Sequence, residues 1–167
     1  MASDFELATW QKISILEDNF ILLVDEREIA SVKFSPFYQK LAGASHAFIS
    51  FDQFRFEVIS GKTWLKQFNI IDHENAIVAH TKSTVSGYCI FFGDGSYYCL
   101  KSMKESIKEF HWYDPEGKKI MTLRPQPGIS IRRDYYVLGY EQLESAVVEV
   151  VLAAFGLFMI VKLPEEI

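Results

Sequence analysis

The chain has 167 residues, 49% of them hydrophobic and 23% charged, the proportions of one ordinary globular domain rather than of a disordered chain. Lys and Arg total 17 against 22 Asp and Glu, a net charge of −5. That balance is a poor starting point for nucleic-acid binding, which rests on neutralising phosphates, and two cysteines build neither a disulfide framework nor a four-ligand zinc site.

In chain order, the opening MASDFELATWQK has no basic region followed by an apolar stretch, so no secretory leader is expected and the default location is cytoplasmic. Residues 1 to about 8 read as a polar lead-in. A first strand is expected from Thr9 to Leu16, with Trp10, Ile13 and Ile15 near one face. Phe20–Val24 and Ile29–Phe34 form a hairpin across the turn Asp25–Glu28. Pro36 and Gly43 mark a loop or a single helical turn. Ala47–Phe51 and Arg55–Ile59 form the next strand pair, and Trp64–Ile71 and Ala76–Thr81 another across Asp72–Asn75.

Val85–Phe92 and Ser96–Leu100 flank Gly93-Asp94-Gly95. An Asp-Gly between two aromatic-rich runs is a strong hairpin signal. Glu109–Tyr113 and Lys119–Leu123 flank Asp114-Pro115-Glu116-Gly117, where the proline and the closing glycine suit a type I turn. Ile129–Val137 reads as the last strand. The aromatic fraction of 15% also favours half-buried pleated surfaces.

The pattern then changes. Tyr140–Val161 reads as one helix, central over about 141–161, with Glu141, Glu144 and Glu149 early and no polar side chain from Val150 to Val161. A helix apolar on every face must be buried on every face. Its uninterrupted apolar run is shorter than the roughly 20 residues a bilayer requires. Extending the run back to Ala146 places Glu149 in lipid at about 3 kcal/mol or more. About ten to twelve short strands suggest a sandwich or barrel. The all-apolar helix favours a mainly β fold in which an antiparallel barrel closes around a buried hydrophobic C-terminal helix, one domain over residues 1–167.

The succession of hairpins resembles the tubby C-terminal-like superfamily, which includes LURP-one-related proteins and phospholipid scramblases. The resemblance is carried by Phe68-Asn69-Ile70-Ile71-Asp72 with Ile77-Val78-Ala79, by Gly93-Asp94-Gly95-Ser96-Tyr97, by Trp112-Tyr113-Asp114-Pro115-Glu116-Gly117-Lys118-Lys119-Ile120, and by the closing helix Val147–Val161. It spans about residues 10 to 162 and implies a closed antiparallel β-barrel of about twelve strands threaded by its last helix. It also implies a non-enzymatic role at anionic phospholipid head groups or as a membrane-associated adaptor. Two features of the scramblase-like members are missing. Residues 1–88 hold no cysteine, and Ile131–Tyr136 offers one Asp where calcium requires several oxygen ligands.

The densest basic group is Lys118, Lys119, Arg124, Arg132 and Arg133, with Tyr135 and Tyr136 beside it. Arg forks and interfacial Tyr suit a phospholipid head group. The plainer reading is a solvated charged strand, because Arg132 and Arg133 face opposite ways on a regular strand. Cys89 and Cys99 face each other if the intervening loop has three residues; with two, Cys89 opposes Leu100. The preferred expectation is a pair of reduced core cysteines.

His46, His73, His80 and His111 form no metal-ligand spacing and read as surface or half-buried residues. No nucleophile elbow and no phosphate-binding glycine loop is present, and Asp94 and Asp114 read as turn formers. The expectation is therefore a protein with no catalytic residues, cofactor or metal, cytoplasmic or peripheral at a membrane. Two alternatives are a scramblase-like protein with its C-terminal helix in the bilayer and a barrel carrying a small apolar ligand.

Overall fold

Antiparallel pairing of each strand with its chain neighbours closes twelve strands into a barrel. In the computed structural model, residues 7–14, 16–35, 44–61, 67–102, 109–127, 134–140 and 143–162 are described. The strands are β1 (Leu7–Lys12), β2 (Asn19–Val24), β3 (Arg27–Phe34), β4 (Ser45–Phe51), β5 (Phe54–Ser60) and β6 (Phe68–Asp72). They continue as β7 (Ile77–Ser83), β8 (Gly87–Phe92), β9 (Tyr97–Ser102), β10 (Phe110–Tyr113), β11 (Lys119–Pro125) and β12 (Tyr135–Gly139). The seam is sealed by β1 against β12, with Leu7 opposite Leu138 and Trp10 opposite Tyr135. Closure leaves no unpaired sheet edge among the described strands.

The strands alternate sides apart from their bulges, and the inward set is mostly apolar. Ala8 and Trp10, Phe20 and Leu22, Ala30 and Val32, Tyr88 and Ile90, and Phe110 and Trp112 all belong to one core. Into that core runs α1 (Ala146–Val161). Its residues from Glu149 to Ile160 are buried without interruption, as its lack of a polar face requires. Phe155 touches Phe68, Tyr88 and Trp112, while Phe158 touches Phe34, His46 and Phe68. The expected barrel around a buried helix is the fold observed.

Two tryptophans of the wall hold the helix backbone. Trp10 Nε1 donates to the Ala153 carbonyl at 3.2 Å, and Trp112 Nε1 to the Leu152 carbonyl at 2.9 Å. An indole buried in an apolar core needs such an acceptor. Gly156 permits the close approach: a Cβ there would lie 2.9 Å from a Leu123 methyl and 3.3 Å from Trp112 Nε1.

Five connections, β2–β3, β4–β5, β6–β7, β8–β9 and β10–β11, are tight turns at one end of the barrel. Three of them share a device. Asn75, Gly95 and Gly117 take positive φ after a turn closed by Asn75 N–H to Asp72 O, Gly95 N–H to Phe92 O and Gly117 N–H to Asp114 O. Three-residue hairpin loops of this kind end on a left-handed residue, where Gly and Asn carry little steric penalty. The Asp72 and Asp114 carboxylates each accept two backbone N–H groups of their own turn, so these aspartates are consumed locally.

At the opposite end the helix finishes on Lys162, whose ammonium lies 2.6 Å from Asp18 in the β1–β2 connection; Lys12 approaches the same carboxylate at 3.3 Å. Burial raises the Asp18 pKa, but hydrogen bonds and charge from Lys162 and Lys12 outweigh it and hold the carboxyl below its ordinary value.

Several boundaries differ from expectation. β1 begins at Leu7 rather than Thr9, and Ile13 lies past its end, exposed; Ile15 lies outside the described residues. The helix starts at Ala146 rather than 141, because the Ser145 hydroxyl accepts the Val148 N–H and caps it there. Glu144 therefore precedes the helix. Glu149 is the acidic residue of its first turn and accepts the Leu143 N–H at 2.8 Å. Residues 62–66 and 128–133, expected to open β6 and β12, lie outside the described set. No described helix is long and apolar enough to cross a membrane; sixteen residues rise only about 24 Å.

Candidate functional site

The outer face of β7–β11 gathers most of the chemistry the sequence singled out. One row runs straight across five strands: Lys82, Cys89, Cys99, Tyr113 and Lys119 are successive cross-strand partners. The neighbouring outward row is His80, Phe91 and Tyr97. Their rings stack, at 5.3 Å between His80 and Phe91 and 5.5 Å between Phe91 and Tyr97. Cross-strand ring pairs of this kind stabilise a sheet by about 0.2–1 kcal/mol each.

Three lysines lie over rings on this face. Lys82 Nζ is 5.5 Å from the Phe91 centroid, Lys101 Nζ 5.1 Å from Tyr113 and Lys119 Nζ 5.0 Å from Tyr140. Such contacts are worth about 0.5–1 kcal/mol at exposed sites, enough to bias a flexible side chain without neutralising its charge. All three lysines are exposed, as is Arg124. None of the four has a carboxylate within ion-pair distance among the described residues. Lys12 and Lys162, by contrast, are occupied by Asp18.

The basic group expected from the sequence is only partly drawn together. Lys119 and Arg124 sit toward opposite ends of β11, about 17 Å apart by strand rise. A bulge opposite Trp112 and Tyr113 turns Lys119 outward. Lys118 is exposed at the end of the β10–β11 turn. Arg132 and Arg133 lie outside the described residues. Of the two tyrosines beside them, Tyr135 is buried against Phe20, while Tyr136 stands opposite Arg124. Lys82 and Lys101 were not part of the sequence expectation; each is isolated in sequence, and only strand register joins it to the group.

The two cysteines correct the expectation. They are not reduced and not in the core: Cys89 and Cys99 form a disulfide between directly opposed positions, Cα–Cα 4.1 Å. The loop of three residues, Gly93–Gly95, selects the facing register, and Tyr88, Ile90 and Leu100 take the inward positions. Both cysteines are therefore half-buried on the outer face.

The histidines serve separate purposes. His46, expected at or near the surface, is buried at the β4 bulge, packed on Phe68 and Phe158 and hydrogen-bonded with Ser60. His73 and His80 are not brought together: His73 lies in the turn near Glu74, and His80 stacks on Phe91. His111, also expected at the surface or half-buried, is buried as well; its Nε2 is 3.2 Å from Glu109 and its Nδ1 is 3.3 Å from the Tyr113 hydroxyl. Among the described residues no group of three or more His, Cys, Asp or Glu side chains is placed to hold a metal ion.

Asp94 accepts the Ser96 hydroxyl and the Ser96 N–H, and these bonds hold its pKa below the ordinary value. No family model matches the chain, and neither does a curated protein or a solved structure.

Proposed function

We propose that the protein is a non-enzymatic, tubby-like binding module that meets anionic phospholipid head groups with the outer face of β7–β11. One observation carries the reading. Lys82, Lys101, Lys119 and Arg124 are exposed and without a carboxylate partner among the described residues, in a chain whose net charge is −5. Unpaired cations beside Tyr and Phe rings suit a membrane surface, where aromatic rings sit at head-group depth.

The expected strength follows from the charges. Basic side chains near an anionic leaflet contribute about 1 kcal/mol each. Four give about 4 kcal/mol, a dissociation constant near 1 mM. The target is therefore a charged surface engaging all four cations, not one soluble head group.

The carboxylates of the tight-turn end, Asp25, Asp52, Asp72, Asp94 and Asp114, are repelled by that surface, which favours docking on the barrel's side. A helix whose apolar faces already contact the barrel wall supports this reading over one that inserts the helix into lipid. The side chains of Phe155 and Phe158 occupy the interior that an apolar-ligand carrier keeps open.

The test is vesicle co-sedimentation of the full chain. Binding is expected to phosphatidylcholine vesicles doped with phosphatidylserine or a phosphoinositide, and not to phosphatidylcholine alone. The variant K82E/K101E/K119E is expected to lose it. Equal sedimentation of variant and parent, or none at low salt with any anionic vesicle, overturns the reading.

A further inference from the structure

We propose that the Cys89–Cys99 cystine is a thiol–disulfide exchange site on the surface of the folded barrel, with a small anionic thiol or a dithiol protein as co-reactant. The register places both sulfur-bearing residues outward, since Tyr88, Ile90 and Leu100 fill the inward positions beside them. A thiol in solution meets them without opening the core.

The surroundings are electropositive. The outward neighbours of the pair are Lys82 across β7, Tyr113 across β10, and Gly87, Phe91, Tyr97 and Lys101 along their own strands. Two ammonium groups and no carboxylate stand in that ring. Partly exposed cysteines beside lysine are those that form reactive thiolates.

The hairpin keeps its register without the cystine. Phe92 N–H donates to Ser96 O at 2.9 Å, and Gly95 N–H to Phe92 O at 3.1 Å. The outer sides of β8 and β9 are paired with β7 and β10. Reduction therefore leaves the two strands in place, with the thiols still facing each other and able to close again.

The exchange balances as follows. The co-reactant thiolate attacks one cystine sulfur, a mixed disulfide forms, and the other cysteine leaves as a thiolate beside a lysine. A second co-reactant thiol attacks the mixed disulfide and releases the second cysteine. Two electrons pass to the protein, the co-reactant leaves as its disulfide, and its two thiol protons end on Cys89 and Cys99.

The experiment uses the full chain oxidised with glutathione disulfide, then reduced with glutathione without denaturant. Iodoacetamide trapping, peptide mass and circular dichroism are followed together. The expected result is alkylation of Cys89 and Cys99 while the dichroism stays that of the folded barrel. K82Q/K101Q is expected to slow reduction by about threefold or more, the loss of two weakly screened attractions for an anionic thiolate. The proposal is overturned if no cystine forms on oxidation, if reduction requires denaturant or unfolds the chain, or if K82Q/K101Q reacts at the parent rate.

Discussion

Trp112 of the barrel wall donates its indole N–H to the carbonyl of Leu152, 2.9 Å away in the middle of the central helix. That carbonyl sits inside a regular helix with its own intrahelical donor, so the contact ties wall to helix without interrupting the helix. Replacing Trp112 by Phe keeps most of the ring volume and removes the donor. A loss of about 1 kcal/mol is expected for the hydrogen bond, against about 3–5 kcal/mol for Ala, which adds a cavity. Urea denaturation of the two variants checks the ranking; equal losses sink it.

Gly156 lies where Trp112 and Leu123 press on the helix. Alanine gains about 0.8–1 kcal/mol of helix propensity, but its Cβ meets the buried Leu123 methyls and Trp112 Nε1. Overpacking offsets the gain, and G156A is expected to be neutral to destabilising by about 1 kcal/mol. Valine adds two methyls with no space and is expected to cost about 2 kcal/mol or more. A G156V protein as stable as its parent would show that the helix does not sit this close to the wall.

Asp18 joins Lys12 and Lys162 across the open end of the barrel. Its folded pKa is lowered, so its contribution is complete above its unfolded value of about 3.9 and is lost as pH falls through the folded value. The site is partly exposed, so the magnitude is about 1 kcal/mol or less. Thermal melts of D18N between acid and neutral pH are expected to lie below the parent at neutral pH and to converge with it in acid. A constant gap at every pH contradicts the linkage.

The cationic face makes a prediction of its own. Binding to anionic vesicles is expected to fall steeply as ionic strength rises and the Debye length shrinks from about 10 Å toward 3 Å. Arg124 stands apart from the lysines at the far end of β11, so R124Q is expected to weaken binding less than K82Q/K119Q. The reverse order moves the contact surface toward β12.

A chain ending at Tyr140 keeps every strand and loses the helix. The barrel then surrounds nothing, and the inward faces of Trp10, Phe68 and Trp112 lose their shared partner. Aggregation or loss of the cooperative melt is expected. A soluble, folded truncation would mean that the strands hold a core without α1.

The barrel was legible because its signals are local. Gly93-Asp94-Gly95 and Asp114-Pro115-Glu116-Gly117 announce their hairpins, and Val150–Val161 has no polar face to offer water. What stayed hidden depended on counting. The pairing of Cys89 with Cys99 turned on whether the loop held two or three residues, and one residue of slip moves a strand's side chains to the other face.

The helix start turned on one hydroxyl, Ser145, against the pull of Glu141 and Glu144. The cationic face was half visible. Lys119 and Arg124 are near in sequence and far apart on the strand, whereas Lys82 and Lys101 are far in sequence and joined only by register. The burial of His46 is invisible to the strand period, because a bulge between Ser45 and Ala47 sends it inward.

The central helix is made after all twelve strands that surround it. Trp10 and Ala153, which hydrogen-bond in the finished barrel, are 143 residues apart, and Asp18 and Lys162 are 144 apart. At about 5–20 residues per second of synthesis, the early strands wait roughly 7–30 s for the side chains they must enclose. Throughout that interval their inward faces are exposed apolar surfaces. The strands therefore cannot enclose a finished core until α1 has followed them out of the ribosome, and holdase chaperones have a natural client in the interval.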